Sequence, residues 1–128
     1  MSSEKILIVD DEEHILELLD AELKSAGYEV IKAQGAEEAI AKAETFFPGL
    51  IIMDIMMPEM NGAEAVKALD NIPKTKDIPI IFMTAMITKD EEIQEHLGVN
   101  IGGRMQGVIA KPIDREELLA KVKKVFMP

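Results

Sequence analysis

The chain has 128 residues, a length that suits one domain with a real core. Apolar residues make up 48% and charged residues 30%, the balance of an ordinary globular protein, and no apolar run is long enough to span a bilayer. A net charge of −10 argues against nucleic-acid binding, since phosphate contacts need a basic surface, and the lack of cysteine excludes disulfides and thiolate chemistry. Met1-Ser2-Ser3-Glu4-Lys5 leads straight into a strand and does not read as a signal peptide, so a cytoplasmic protein is expected.

Ile6-Leu7-Ile8-Val9 is continuously apolar and mostly β-branched, the pattern of a strand covered on both faces. Asp10 and Asp11 follow at once. A helix with Ile15, Leu16, Leu19 and Leu23 on one side comes next, stopping near Gly27. Tyr28 to Ala33 mixes polar and apolar residues and predicts an edge strand. Ala36 to Phe47 predicts a second helix, with Ala39, Ile40, Ala43 and Phe47 aligned and Pro48-Gly49 ending it. Leu50 to Met53 is a third apolar strand, closing on Asp54. Asn61 with Glu64 has the spacing of a capping box, and the helix it opens turns Val66, Leu69 and Ile72 inward.

Ile78 to Met83 is a fourth strand, with Pro79 tolerable near its start. Thr88 and Glu91 repeat the capping spacing ahead of a short helix. From Leu97 to Gly107 the chain is Gly-rich and weakly patterned. Val108-Ile109-Ala110 is a short fifth strand, followed by Lys111-Pro112. Asp114 and Glu117 then cap a last helix carrying Leu118, Val122, Val125 and Phe126.

Five βα units without an internal repeat imply a parallel sheet covered on both faces with right-handed crossovers. With the mixed second strand at an edge, the expected architecture is a flavodoxin-like doubly wound (βα)5 sheet in the order 2-1-3-4-5, one domain over residues 1–128.

In such a sheet all strand carboxyl ends lie on one side. That places Asp10, Asp11, Asp54, Thr84 and Lys111 at or just past the ends of strands one, three, four and five. Clustered carboxylates repel unless a cation sits among them, and an all-oxygen set suits a hard ion such as Mg²⁺. These parts fit phosphoryl transfer to a carboxylate. Asp54 is then the nucleophile, the metal and Lys111 neutralise the phosphoryl oxygens, and the Thr84 hydroxyl bonds the attached group and biases the loop after strand four.

The motifs Ile6-Leu7-Ile8-Val9-Asp10-Asp11, Ile52-Met53-Asp54-Ile55-Met56-Met57-Pro58-Glu59-Met60-Asn61-Gly62, Met83-Thr84-Ala85 and Lys111-Pro112 occur in this order. Together they resemble the receiver domain of two-component response regulators, in particular the single-domain, chemotaxis-regulator-like kind. The resemblance covers essentially the whole chain. It implies that Asp54 is the phosphoacceptor and that Asp11 and Asp54 ligate Mg²⁺. Asp10 helps place the metal through water, and the Met56 backbone carbonyl is a further ligand. It also implies that Thr84 and the Ala85 amide contact the phosphoryl group, that Lys111 binds it, and that the Lys111-Pro112 peptide is cis. The implied donor is a histidine kinase or histidine phosphotransfer protein, and the output is an altered surface for a downstream protein target. The expected assembly is a monomer or weak homodimer with no membrane insertion. The chain is then not a conventional enzyme, since it catalyses only its own phosphorylation and dephosphorylation.

Each piece has a plainer reading. Asp10 with Glu13 has helix-capping spacing, Lys111 before Pro112 suits an ordinary loop, and His14 and His96 read as surface residues. Asp54 has no such alternative, and the joint occurrence favours the phosphoacceptor. Two other function classes stay open. A haloacid-dehalogenase-type phosphohydrolase needs a second Asp two residues after its nucleophile, where this chain has Met56. A phosphorylation-independent pseudo-receiver usually lacks an acidic residue or the lysine, and here all are present.

Two departures from the family stand out. Val108 replaces the usual aromatic three residues before the lysine, which puts the standard aromatic switch in doubt. The stretch from Thr84 to Lys111 is also long, with the extra residues placed in Gly98 to Gly107, which reads either as a tolerated surface insertion or as a mobile region with an altered partner surface. Met56 and Met86, each two residues beyond Asp54 and Thr84, have no polar group to orient a hydrolytic water. Self-dephosphorylation should therefore be slow, and Met56→Asn should speed it severalfold; phosphate loss at an unchanged rate, followed by phosphoprotein gel or mass spectrometry, would refute this.

Overall fold

The computed structural model describes residues 4–55, 62–85 and 105–127. In chain order it has β1 (Lys5–Val9), α1 (Glu13–Ser25), β2 (Glu29–Ala33), α2 (Ala36–Phe46), β3 (Leu50–Asp54), α3 (Gly62–Asp70), β4 (Ile80–Thr84), β5 (Met105–Ala110) and α4 (Arg115–Phe126). The five strands form one parallel sheet in the order β2-β1-β3-β4-β5. This is the flavodoxin-like order expected from the alternation of strands and helices.

The continuous apolar runs have a simple cause. Successive strand side chains point to opposite faces, and both faces are covered. Leu7, Val9, Ile51, Met53, Ile80 and Phe82 point to one side, where Ala36, Ala39 and Ala43 of α2 and Ala65, Val66 and Leu69 of α3 meet them. Ile6, Ile8, Leu50, Ile52, Ile81, Met83 and Ile109 point to the other, against Leu16, Leu19 and Leu23 of α1 and Leu118 and Val122 of α4. β2 has only one strand neighbour, and its mixed sequence gives the burial of an edge.

Several local expectations need correction. Phe47 does not share the buried face of α2. It takes the left-handed conformation (φ 50) that ends the helix, and its exposed ring lies under the Lys74 ammonium, 5.4 Å from the centroid. β4 starts at Ile80 rather than Ile78, which belongs to the preceding turn, though the Pro79 carbonyl already accepts from Ile51 N. β5 starts at Met105, three residues before the predicted Val108. Ile80 pairs with Met105 and Ile81 with Gly107, so Gln106 is the extra residue of a β-bulge, and Gly107 adopts a positive φ of 153 that suits glycine alone. Part of the apparent insertion is therefore strand, disguised by glycine and glutamine where a strand normally carries branched residues.

The Asp10–Glu13 capping box is not formed either. Glu12 is the N-cap of α1 and makes no side-chain cap bond, while Asp10 Oδ1 accepts from Glu12 N. Asp114 does cap α4, but it takes the Glu116 amide at 3.1 Å. The Asn61 cap, the helix after Thr88, His96 and the rest of the long segment up to 104 lie outside the described residues.

Leu19 is fully buried between α1 and the sheet, whereas Leu18 is 42% exposed. Leu19→Ala should cost about 2–5 kcal/mol in urea unfolding and Leu18→Ala under about 0.5 kcal/mol. Equal losses would contradict this face assignment.

Candidate functional site

The strand register places the polar residues before any side chain is considered. Val9 lies opposite Met53, so Asp10 leaves β1 beside Asp54, the last residue of β3. Asp54 lies opposite Met83, and Thr84, opposite Ala110, ends β4. The Lys111 amide donates to the Thr84 carbonyl at 2.8 Å, extending the ladder one step past the strands. Ala85 follows as an exposed bend. The Lys111–Pro112 peptide is cis, as the resemblance implied.

β5 is two strands away from β3, about 10 Å at the usual spacing. The long stem of Lys111 spans that gap over the end of β4. Its ammonium lies 2.9 Å from Asp54 Oδ2 and 2.7 Å from Asp10 Oδ2, joining residues 57 positions apart in sequence. The Asp54 contact is a hydrogen bond. Asp10 Oδ2 meets the same ammonium in a close ion pair. Asp10 is 0% and Asp54 6% exposed, so both charges are largely removed from water.

Burial pushes the Lys111 pKa down, but the bonds to Asp10 and Asp54 outweigh it and hold the ammonium above the ordinary lysine value of 10.5. Thr84, also buried, sits at the carboxyl end of β4 between the strands that carry Asp54 and Lys111.

Asp10 also belongs to a second grouping. Asp10, Asp11 and Glu12 each offer a carboxylate oxygen, and these oxygens lie within 4.8 Å of one another. Asp11 and Glu12 are exposed. An all-oxygen donor set with one fully buried carboxylate fits a hard divalent cation. Asp10, Asp54 and Lys111 are thus in direct contact, Asp11 is beside Asp10, and Thr84 and Ala85 end the strand between. Met56 lies outside the described residues. Glu12 escaped the sequence reading; four consecutive acids, Asp10 to Glu13, just past a buried strand were the available signal, masked by the plausible capping role of the run.

The sequence profile of the response regulator receiver domain matches residues 6–123. The chain belongs to this family. Receiver domains are signalling modules of two-component systems and not conventional enzymes. This receiver is 42% identical over 124 residues to the alkaline phosphatase synthesis transcriptional regulatory protein PhoP of Bacillus subtilis, covering 97% of the chain but 49% of the relative. It therefore spans about half the length of that regulator. It is 36% identical to protein PilH of Pseudomonas aeruginosa, covering 95% of the chain and 97% of PilH. Among solved structures, the chemotaxis protein CheY4 of Vibrio cholerae superposes with a TM-score of 0.86 at 36% identity, covering 97% of this receiver and 99% of CheY4. No helix among the described residues is long and apolar enough to cross a membrane.

Because the Lys111 pKa is raised on folding, its stabilisation is fully present below the unfolded value of about 10.4 and is lost as pH climbs through the higher folded value. Lys111→Met should destabilise the receiver by about 1–3 kcal/mol between pH 7 and 9. The deficit should shrink only above about pH 10.4. Denaturant curves at several pH values would measure it, and a deficit that vanished near pH 8 would contradict the pairing.

Proposed function

We propose that this receiver is a phosphorylation switch in which Asp54 accepts a phosphoryl group from the phosphohistidine of a histidine kinase or histidine phosphotransfer protein. The observation that carries the reading is the Lys111 ammonium held against Asp54 and Asp10 at the strand ends. A charge in that position meets the oxygens of a phosphoryl group as readily as those of a carboxylate.

An Asp54 carboxylate oxygen attacks phosphorus. The new O–P bond forms as the N–P bond of the phosphohistidine breaks, and the imidazole nitrogen departs with the electron pair and takes up a proton. Asp10, Asp11, Asp54 and the Met56 backbone carbonyl would hold Mg²⁺, whose positive charge would offset that of the phosphoryl oxygens. Lys111 adds the second counter-charge. The Thr84 hydroxyl and the Ala85 amide donate to the product, bonds that exist only in the modified state and so shift the balance between conformations.

The whole of residues 1–128 acts as one receiver domain, cytoplasmic and monomeric or weakly dimeric, whose altered surface is read by a downstream protein. The net charge of −10 supports a protein target over nucleic acid.

Incubation with Mg²⁺ and acetyl phosphate should add one phosphoryl group per chain, mapping to Asp54 by mass spectrometry. Asp54→Asn or removal of Mg²⁺ with EDTA should abolish it. Failure of the wild-type chain to form an adduct, with acetyl phosphate or with beryllium fluoride as mimic, would instead favour an interaction module independent of phosphorylation.

A further inference from the structure

We propose that Glu38 and Lys42 of α2 form a clasp that shuts the β2 edge of the sheet against strand pairing with a second copy of this chain. The inference does not depend on phosphorylation.

The alternation of backbone groups along β2 shows what this edge offers. The Glu29 amide donates to the Glu4 carbonyl, and the Ala33 carbonyl accepts from the Asp10 amide. Residues 29, 31 and 33 therefore turn their backbone groups toward β1. The backbone groups of Val30, Lys32 and Gln34 point the other way, and β2 is the last strand on that side. An outward row of this kind is a template for another strand.

A two-fold axis through Ile31 gives a self-complementary antiparallel register. Ile31 then meets Ile31 of the second copy, and Val30 of each copy pairs with Lys32 of the other, making about four hydrogen bonds. Half of these would be accepted by the two Lys32 carbonyls. An axis through Lys32 would instead set two ammonium groups opposite each other, which is unfavourable.

The acceptor that this register needs is already taken, and so is the next outward amide. The Lys42 ammonium donates to the Lys32 carbonyl. Glu38 Oε1 accepts from the Gln34 amide at 2.7 Å. Glu38 Oε2 and Lys42 Nζ lie 3.1 Å apart, one helical turn from each other, which ties the two contacts together. An ammonium at the Lys32 carbonyl stands where the amide of an incoming strand would have to come. The Gln34 amide and the Lys42 ammonium hold the Glu38 carboxyl below its ordinary pKa, so the pair stays charged at neutral pH. The five-residue length of β2 and its exposed Glu29 and Lys32 blunt the edge further, but only the clasp occupies its backbone.

The test is analytical ultracentrifugation of the full chain over a concentration series, with amide exchange at Val30 and Lys32 reporting where any contact forms. Both are run without Mg²⁺ or a phosphoryl donor. Lys42→Met removes the charged donor and keeps a long stem. It should tighten self-association at least about fivefold, the scale of two freed hydrogen-bond acceptors. Exchange of the Val30 and Lys32 amides should slow in this variant as concentration rises. Lys42→Arg, which keeps a charged donor, should behave as wild type. Glu38→Gln should act in the same direction as Lys42→Met by a smaller factor, and it carries the comparison should Lys42→Met fail to fold.

Self-association no tighter than wild type in Lys42→Met and Glu38→Gln overturns the inference. Tighter association with exchange at Val30 and Lys32 independent of concentration also overturns it, because the contact then lies elsewhere.

Discussion

Everything at the functional end of this receiver depends on one ammonium group placed between two buried carboxylates. Asp10 and Asp54 end adjacent parallel strands, so the fold itself brings like charges together in a place with little water. Such an arrangement is expensive unless a counter-charge is present. Lys111 supplies it from two strands beyond Asp54, and its raised pKa records that the two carboxylates more than offset its own burial. An arginine would prefer a flat bidentate partner, whereas the compact head of lysine can touch two separate carboxylates and, in the proposed switch, a phosphoryl oxygen as well.

The sheet is what makes this geometry reproducible. The three central strands are buried along almost their whole length, and their registers leave no freedom in where they end. A one-residue slip would turn every buried side chain of a strand to the wrong face, so the pattern that builds the core also sets the position of the site. β5 reaches the same precision differently. The bulge at Gln106 and the positive φ of Gly107 absorb one residue before the paired stretch that leads to Lys111. From there the Lys111 amide is tied to the Thr84 carbonyl, so the lysine backbone and the threonine backbone are held as one unit.

The parts of this structure legible in the sequence are those governed by local period and strand-end chemistry. The runs Ile6 to Val9 and Leu50 to Met53 read as doubly covered strands, and the mixed character of residues 28–33 placed that strand at an edge, which the sheet order bears out. The errors occurred where tertiary context overrides local signals. Phe47 matched the helical period, but Pro48 cannot follow in the helix, so the chain turns out and the ring is left exposed. Met105 to Gly107 carried no strand signal, because pairing with β4 rather than side-chain preference holds them there. Asp10 illustrates the same limit within the site. Its spacing to Glu13 fits a capping box, yet its carboxylate takes the nearby Glu12 amide and the charge of Lys111, a partner 101 positions away in sequence that no local pattern reports.

Burial across the site is graded, and the gradient separates roles that sequence alone presents as equivalent. Asp10 is inaccessible, Asp54 and Lys111 are slightly open, and Asp11 and Glu12 face solvent. A carboxylate at the inner end cannot be left without a cation, because the cost of an unpaired buried charge far exceeds what an exposed pair gains. The inner group therefore retains Lys111, and exchange with solvent species falls to the outer carboxylates, which lose little hydration in accepting a hydrated ion. Asp54 lies between these limits. It is buried enough for Lys111 to hold it in place and not sealed from solvent, which is the compromise that the proposed reversible phosphorylation requires.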